Sequence, residues 1–203
     1  MDYRRDIDGL RAIAVLPVVG FHSGLTIFSG GYVGVDVFFV ISGYLITSLI
    51  MKEVSEDRFS FADFYSRRIA RLAPALIITL FMVMSWGFIF YHNQAFDKLG
   101  KEIFYSSFGL ANILFAQGVD YFAKDEAYQP LIHLWSLGVE EQFYLLWPLI
   151  LLMAHKIHSK VTVFLCLVLF FLSLWLSIQA VEGGVTKGYV LLHYRAFELL
   201  TGA

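Results

Sequence analysis

The chain alternates long uncharged runs with short charged ones, and the runs have the length of membrane spans. No Asp, Glu, Lys or Arg occurs from Ala12 to Val35, from Val37 to Met51, from Leu72 to Phe96 or from Val161 to Val181. A fifth apolar stretch, Leu131 to Ala154, carries Glu140 and Glu141 in its first half. A helix needs roughly 20 apolar residues to cross a hydrocarbon core of about 30 Å. In lipid every backbone polar group must be paired within the protein, so crossing segments of this kind are helices. The pattern predicts an all-α, polytopic integral membrane protein with at least five transmembrane helices, and the closing residues Tyr194 to Ala203 read as the start of another.

The stretch from Ile103 to Val119 is just long enough to cross but contains Ser106, Ser107, Asn112 and Gln117. As a single helix it places Phe104, Phe108, Ala111 and Phe115 on one face, which suits a helix lying at the interface or packed inside the protein. We adopt the non-crossing reading. The helix from Leu131 then enters from the outer face with Glu140 about 13 Å below it, in the same outer half as His22 and Asp36.

Composition changes the picture only by closing alternatives. The chain is 58% hydrophobic and 16% charged, against about 25% charged in soluble domains. A net charge of −2 gives no electrostatic basis for a nucleic-acid partner, and the apolar content excludes a disordered chain. Cys166 is the one cysteine, so neither a disulfide framework nor a cysteine-based zinc site is expected, and no metal is called for. The first apolar run is preceded by charges of both signs and closed by no small-x-small cleavage site, so it reads as a retained helix rather than a signal peptide. Arg4, Arg5 and Arg11 precede it, and Lys52, Arg58, Arg67, Arg68 and Arg71 fill the connection after the second run. The turn from Ser29 to Tyr32 has no base. Positive charge gathers on the cytoplasmic side, which predicts a multi-pass protein of the cytoplasmic (inner) membrane with a cytoplasmic N-terminus. No repeat or soluble domain interrupts residues 1–203, and the last residues stop in mid-pattern, which predicts a chain cut short.

An ionisable side chain inside a span costs about 2.5–3.5 kcal/mol on insertion scales and is a functional candidate by default. Arg11 and His22 are eleven residues apart, three helical turns, so they share one face about 16 Å apart along the axis. They either line a polar passage, or Arg11 snorkels and His22 hydrogen-bonds a neighbouring helix. Asp36 follows the glycine-rich Gly30-Gly31-Tyr32-Val33-Gly34 and serves either as a helix cap or in chemistry. Ser42-Gly43 is a further small pair suited to packing. Glu140 can stack with Ser136 and Tyr144 along one face, while Glu141 points elsewhere. Arg67-Arg68-Ile-Ala-Arg71 is either a topology anchor binding lipid phosphates or a site for a polyphosphate ligand, which Arg grips with planar, two-armed donors.

Several of these segments together resemble the acyltransferase-3 membrane family. Tyr3-Arg-Arg-Asp-Ile-Asp-Gly-Leu-Arg-Ala through His22 is similar to its opening signature. Gly30-Gly-Tyr-Val-Gly-Val-Asp-Val-Phe-Phe-Val-Ile-Ser-Gly-Tyr-Leu-Ile46 is similar to its second motif. Phe64-Tyr-Ser-Arg-Arg-Ile-Ala-Arg-Leu-Ala-Pro74 resembles its Arg-x-x-Arg loop, and Leu131-Ile-His-Leu-Trp-Ser-Leu-Gly-Val-Glu-Glu-Gln-Phe-Tyr through Pro148 its fourth. The four occur in the family order across essentially the whole chain. The resemblance implies a domain of about ten spans, of which this chain is the N-terminal half. It also implies an acyl-coenzyme A donor, acetyl by preference, met on the cytoplasmic side. The implied acceptor is a hydroxyl of a cell-envelope glycan such as lipopolysaccharide O-antigen or peptidoglycan. The family positions fall on Arg11, His22, Asp36, Arg68, Arg71 and Glu140. Gly138 stands where Ser is common, a departure expected to be mild.

Acyl transfer from a thioester to a sugar hydroxyl needs a base for the hydroxyl proton and a donor for the oxyanion. His22 is the expected base, or carries the acyl group itself, with Asp36 or Glu140 fixing its tautomer. The catalytic candidates are therefore His22, Asp36 and Glu140, and the donor-binding candidates Arg11, Arg68 and Arg71. The alternative is a non-catalytic transporter or carrier, in which the same polar stripe is a substrate path.

Overall fold

A computed structural model describes residues 4–118, 129–184 and 189–203, and among these the regular elements are all helical. The helices are α1 (Arg5–His22), α2 (Gly34–Ser55), α3 (Phe61–Phe90), α4 (Asn93–Ser107), α5 (Ala111–Gly118), α6 (Leu134–Ile157), α7 (Ser159–Glu182) and α8 (Leu192–Gly202). Among the described residues four stretches are long and apolar enough to cross a membrane: Gly31–Ser55, Phe61–Phe90, Leu134–Ile157 and Ser159–Glu182. The expected count of at least five is not reached. The first expected run, Ala12 to Val35, is not one helix: α1 ends at His22, and the chain then turns through Gly24 (φ +76°) into short 3-10 turns at Thr26–Phe28 and Gly31–Val33. Its 18 residues cover about 27 Å only by including Arg5, Asp6, Asp8 and Arg11.

Ile103 to Val119 is not one helix either. Gly109, at φ +67°, separates α4 from α5, a conformation that costs glycine nothing and an L-residue strain. The expected single aromatic face is broken with it: Phe104 and Phe108 are exposed while Ala111 and Phe115 are buried. Neither α4 (15 residues) nor α5 (8 residues) is long enough to span, in line with the non-crossing reading; Val119 lies outside the described residues.

The core sits where α2, α6 and α8 meet. Phe39, Ile46 and Ile50 of α2 pack with Trp135, Val139 and Trp147 of α6 and Leu199 of α8. Trp147 Nε1 donates to Thr47 Oγ1 at 2.8 Å, so the two long helices share a buried polar tie as well as apolar surface. Backbones come close where side chains are missing. A Cβ on Gly34 would lie 2.0 Å from the Ala14 carbonyl oxygen, and one on Gly43 would lie 1.8 Å from that of Leu199. α2 is thus flanked by α1 on one side and α8 on the other, at distances only glycine allows. In contrast α3 and α7 have little of their surface buried, leaving Phe81, Phe88, Phe164 and Phe171 exposed.

Candidate functional site

Two polar clusters and one cavity occupy the apolar bundle, and the family positions divide among them. The first cluster centres on Glu140 in α6, buried at 6% exposure. Ser42 Oγ donates to its Oε1 at 2.8 Å and the Tyr144 hydroxyl to its Oε2 at 2.9 Å. Of the small pair in α2, Ser42 therefore turns to a buried hydrogen bond and Gly43 to close packing. Tyr144 sits one turn below Glu140, as the spacing predicts, whereas Ser136 Oγ bonds the His133 carbonyl at 3.2 Å instead. Arg68, half-buried in α3, lies over the Tyr144 ring at 5.4 Å and the Phe64 ring at 5.8 Å. The charges of Arg11 and Arg68 both reach Glu140. The Arg11 guanidinium is 5.8 Å from the Phe38 ring and 4.0 Å from Asp8, and its buried Nε has no partner among the described residues. Helices α2, α3 and α6 thus bring Ser42, Arg68, Glu140 and Tyr144 into one interior cluster, within range of the Arg11 charge on α1.

The arginines of α3 are not equivalent. Arg67 is paired with Glu53 at 2.6 Å, Arg71 is exposed, and Arg68 alone points into the bundle. No carboxylate forms an ion pair with Arg68 or Arg71 among the described residues. Two unneutralised guanidiniums one turn apart suit the phosphates of an anionic donor. A cavity of about 370 Å³ opens beside Arg68, lined by Leu72, Gly109, Glu141 and Gln142 among others. Glu141 faces this cavity, separate from its buried neighbour.

His22 lies at the end of α1, away from this cluster. Its ring meets that of His133 edge-on, 4.5 Å between centroids, and the two line a cavity of about 370 Å³ with Ser23, Val35, Trp135 and Ser136. His22 Nδ1 is 2.9 Å from the Val18 carbonyl oxygen. A carbonyl only accepts, so in the neutral ring Nδ1 carries the proton and Nε2 holds the lone pair. The tautomer-fixing role expected of Asp36 or Glu140 is filled by the backbone of the same helix. Asp36 is engaged elsewhere: Arg195 of α8 donates to its Oδ1. Arg195 also lies 2.9 Å from Glu198 Oε1, and this triad forms the second polar cluster. Sequence reasoning missed Arg195 and His133. The signal for Arg195 was available, a charged pair Arg195/Glu198 at i, i+3 in an otherwise apolar terminal segment.

Gly138 is closely approached. A Cβ there would come 2.8 Å from Asn112 Oδ1 and 3.1 Å from the Gly109 carbonyl oxygen. Asn112 is fully buried and exchanges hydrogen bonds with Gln142, so a Ser at 138 needs the Asn112 amide and the Gly109 carbonyl to give by a few tenths of an ångström.

The acyltransferase domain family matches residues 4–203. The peptidoglycan O-acetyltransferase OatA of Listeria monocytogenes is 35% identical over 98% of this chain and 33% of its own length. The O-acetyltransferase OatA of Staphylococcus aureus is 37% identical over 98% of this chain and 34% of its own. The chain thus spans about a third of the length of these relatives. No solved structure matches it.

Proposed function

The chain belongs to the acyltransferase domain family, and from that membership we propose that it is part of a membrane O-acyltransferase moving an acetyl group from acetyl-coenzyme A to a hydroxyl of peptidoglycan. Relatives named as peptidoglycan O-acetyltransferases support a cell-wall glycan as acceptor and do not favour a carrier without chemistry. The observation that carries the reading is the buried Glu140 carboxylate held by Ser42 and Tyr144, with Arg68 over the Tyr144 ring. Ionisable groups cost too much in a bilayer to be kept for packing that apolar residues would do better.

In this reading Arg68 and Arg71 hold the donor phosphates at the cytoplasmic end of α3. The apolar walls of the cavity beside Arg68 receive the near part of the donor's uncharged arm, whose thioester end extends to the His22 cavity. At the other end of the bundle, His22 Nε2 takes the proton of the sugar hydroxyl. The hydroxyl oxygen attacks the thioester carbonyl, the carbon–sulfur bond breaks, and coenzyme A leaves as its thiol once a proton is returned. Protonated His22 supplies that proton to the departing thiolate, and His133, in edge contact with His22, lines the same cavity.

The test is glycan acetylation by the full-length protein in its membranes, supplied with acetyl-coenzyme A and read by mass analysis of peptidoglycan. His22→Gln keeps size and much of the hydrogen bonding but cannot take a proton near pH 7. Turnover is expected to fall about 10²–10⁴-fold, the usual contribution of general acid–base catalysis, with donor binding retained. Acetylation near the wild-type level in that variant would overturn His22 as the base, and an inactive wild type would overturn the enzyme reading.

A further inference from the structure

The guanidinium of Arg195 belongs to none of the groups assigned to the reaction, yet it is among the most enclosed charges in the protein, with its side chain 8% exposed. One arm donates to Asp36 Oδ1 and the other lies 2.9 Å from Glu198 Oε1. Its flat faces are covered by aromatic rings: Tyr189 at 4.5 Å, Phe39 at 5.7 Å and Trp135 at 5.8 Å from Cζ to ring centroid. Such a charge is costly to withdraw from water unless its partners are held in place.

The fold holds them. Gly43 of α2 lies against the Leu199 carbonyl, and a Cβ on Gly202 would come 1.9 Å from that of Val40, so α8 rests on α2 backbone to backbone. From the opposite side Ser173 Oγ of α7 accepts the Phe197 amide at 3.0 Å. Arg195 is delivered by an element with no room to drift.

A salt bridge that only fastened α8 to α2 could sit anywhere along their shared surface. This one sits on the first turn of α2, where Val35, the neighbour of Asp36, lines the His22 cavity. Trp135, stacked on the same guanidinium, lines that cavity too. We propose that Arg195 is a positioning residue for acyl transfer. It touches no reacting atom; it fixes the Asp36 carboxylate and the Trp135 wall of the cavity in which His22 works. The proposal rests on the acyltransferase reading above.

The experiment measures acetyl transfer by the full-length enzyme, with kcat expressed per folded protein and the donor KM determined alongside. A wild type without transfer overturns the enzyme reading itself; an active wild type lets the variants decide on Arg195. Arg195→Gln is expected to lower kcat about 10²-fold, the loss that a displacement near 1 Å produces. Donor KM should not change, because Arg68 belongs to the other cluster. Asp36→Asn in the Arg195→Gln background should cost little more, since groups acting as one unit are not additive. Arg195→Lys keeps the charge but not the two-armed fork and should recover part of the turnover. If Arg195→Gln does not accumulate, Arg195→Lys, Asp36→Asn and their double variant form the same cycle. Additive losses, or lower yield with kcat per folded enzyme unchanged, would reduce Arg195 to a fastener and overturn the proposal.

Discussion

Arg68 and Arg71 are one turn apart on the same helix and read alike in a motif, but their surroundings are opposite. Arg71 is exposed, where solvent and salt screen its charge; Arg68 is half-buried against the Tyr144 ring with Glu140 beyond it. Replacing Arg68 with Ala should therefore weaken acetyl-coenzyme A binding by about 1.5–3 kcal/mol, the worth of a charged hydrogen bond, and replacing Arg71 should cost less. Direct donor titration of the two variants checks this, and equal losses would place both at the membrane surface. At this scale the sequence picked out ionisable residues set in apolar runs and was a poor guide to what they touch. Glu140 stands out because a carboxylate in an apolar run is expensive. Ser42 as its partner cannot be read from a run of small and apolar residues, since the pair forms only when α2 and α6 pack. His22 was legible as an imidazole on the Arg11 face, but the acceptor for its Nδ1 turned out to be its own helix backbone.

Among the elements, α4 shows how a short helix acquires pH dependence. Glu102 is 5% exposed, and its Oε2 has no hydrogen-bond partner among the described residues. Burial, opposed less strongly by the Leu131 backbone and Lys98, lifts its carboxyl from 4.5 to about 7. The folded state therefore prefers the protonated acid. The stability this group contributes is fully present below pH 4.5 and is lost as pH rises through about 7. Glu102→Gln fixes the neutral form, so at pH 8 the variant should be the more stable by on the order of 2 kcal/mol, while at pH 4 the two should coincide. Melting of the detergent-purified protein at both values measures it, and identical curves at pH 8 would contradict the burial argument. The break at Gly109 was less legible than the long helices. Hydrophobic periodicity runs straight through Phe104, Phe108, Ala111 and Phe115, and only the left-handed glycine, one of many in the chain, interrupts it.

On the scale of the molecule, four of the five expected spans emerged because apolar runs of that length have no other stable home. The first did not, since a run broken by Gly24 and Gly30 ends its helix at His22 and must borrow its inner turns from charged residues. Whether α1 crosses is decided by thiol labelling of intact cells, with the half-buried Cys166 as background. A cysteine placed by Ser29→Cys should react with an impermeant reagent from outside, and those placed by Asp6→Cys and Arg58→Cys only after permeabilisation. Outside labelling at position 6 would leave α1 on the surface and four candidate crossings among the described residues. The pairing of α2 with α8 also sets an order of events in biogenesis. Asp36 and Arg195 are separated by 159 residues, so at roughly 5–20 residues per second the ribosome needs about 8–30 s to supply the second after the first. Throughout that interval the nascent α2 carries an unpaired carboxylate and a glycine notch facing lipid or the insertion machinery. Its partner arrives only after the intervening helices, and a ribosome that stalls before α8 leaves an open seam for quality control to recognise.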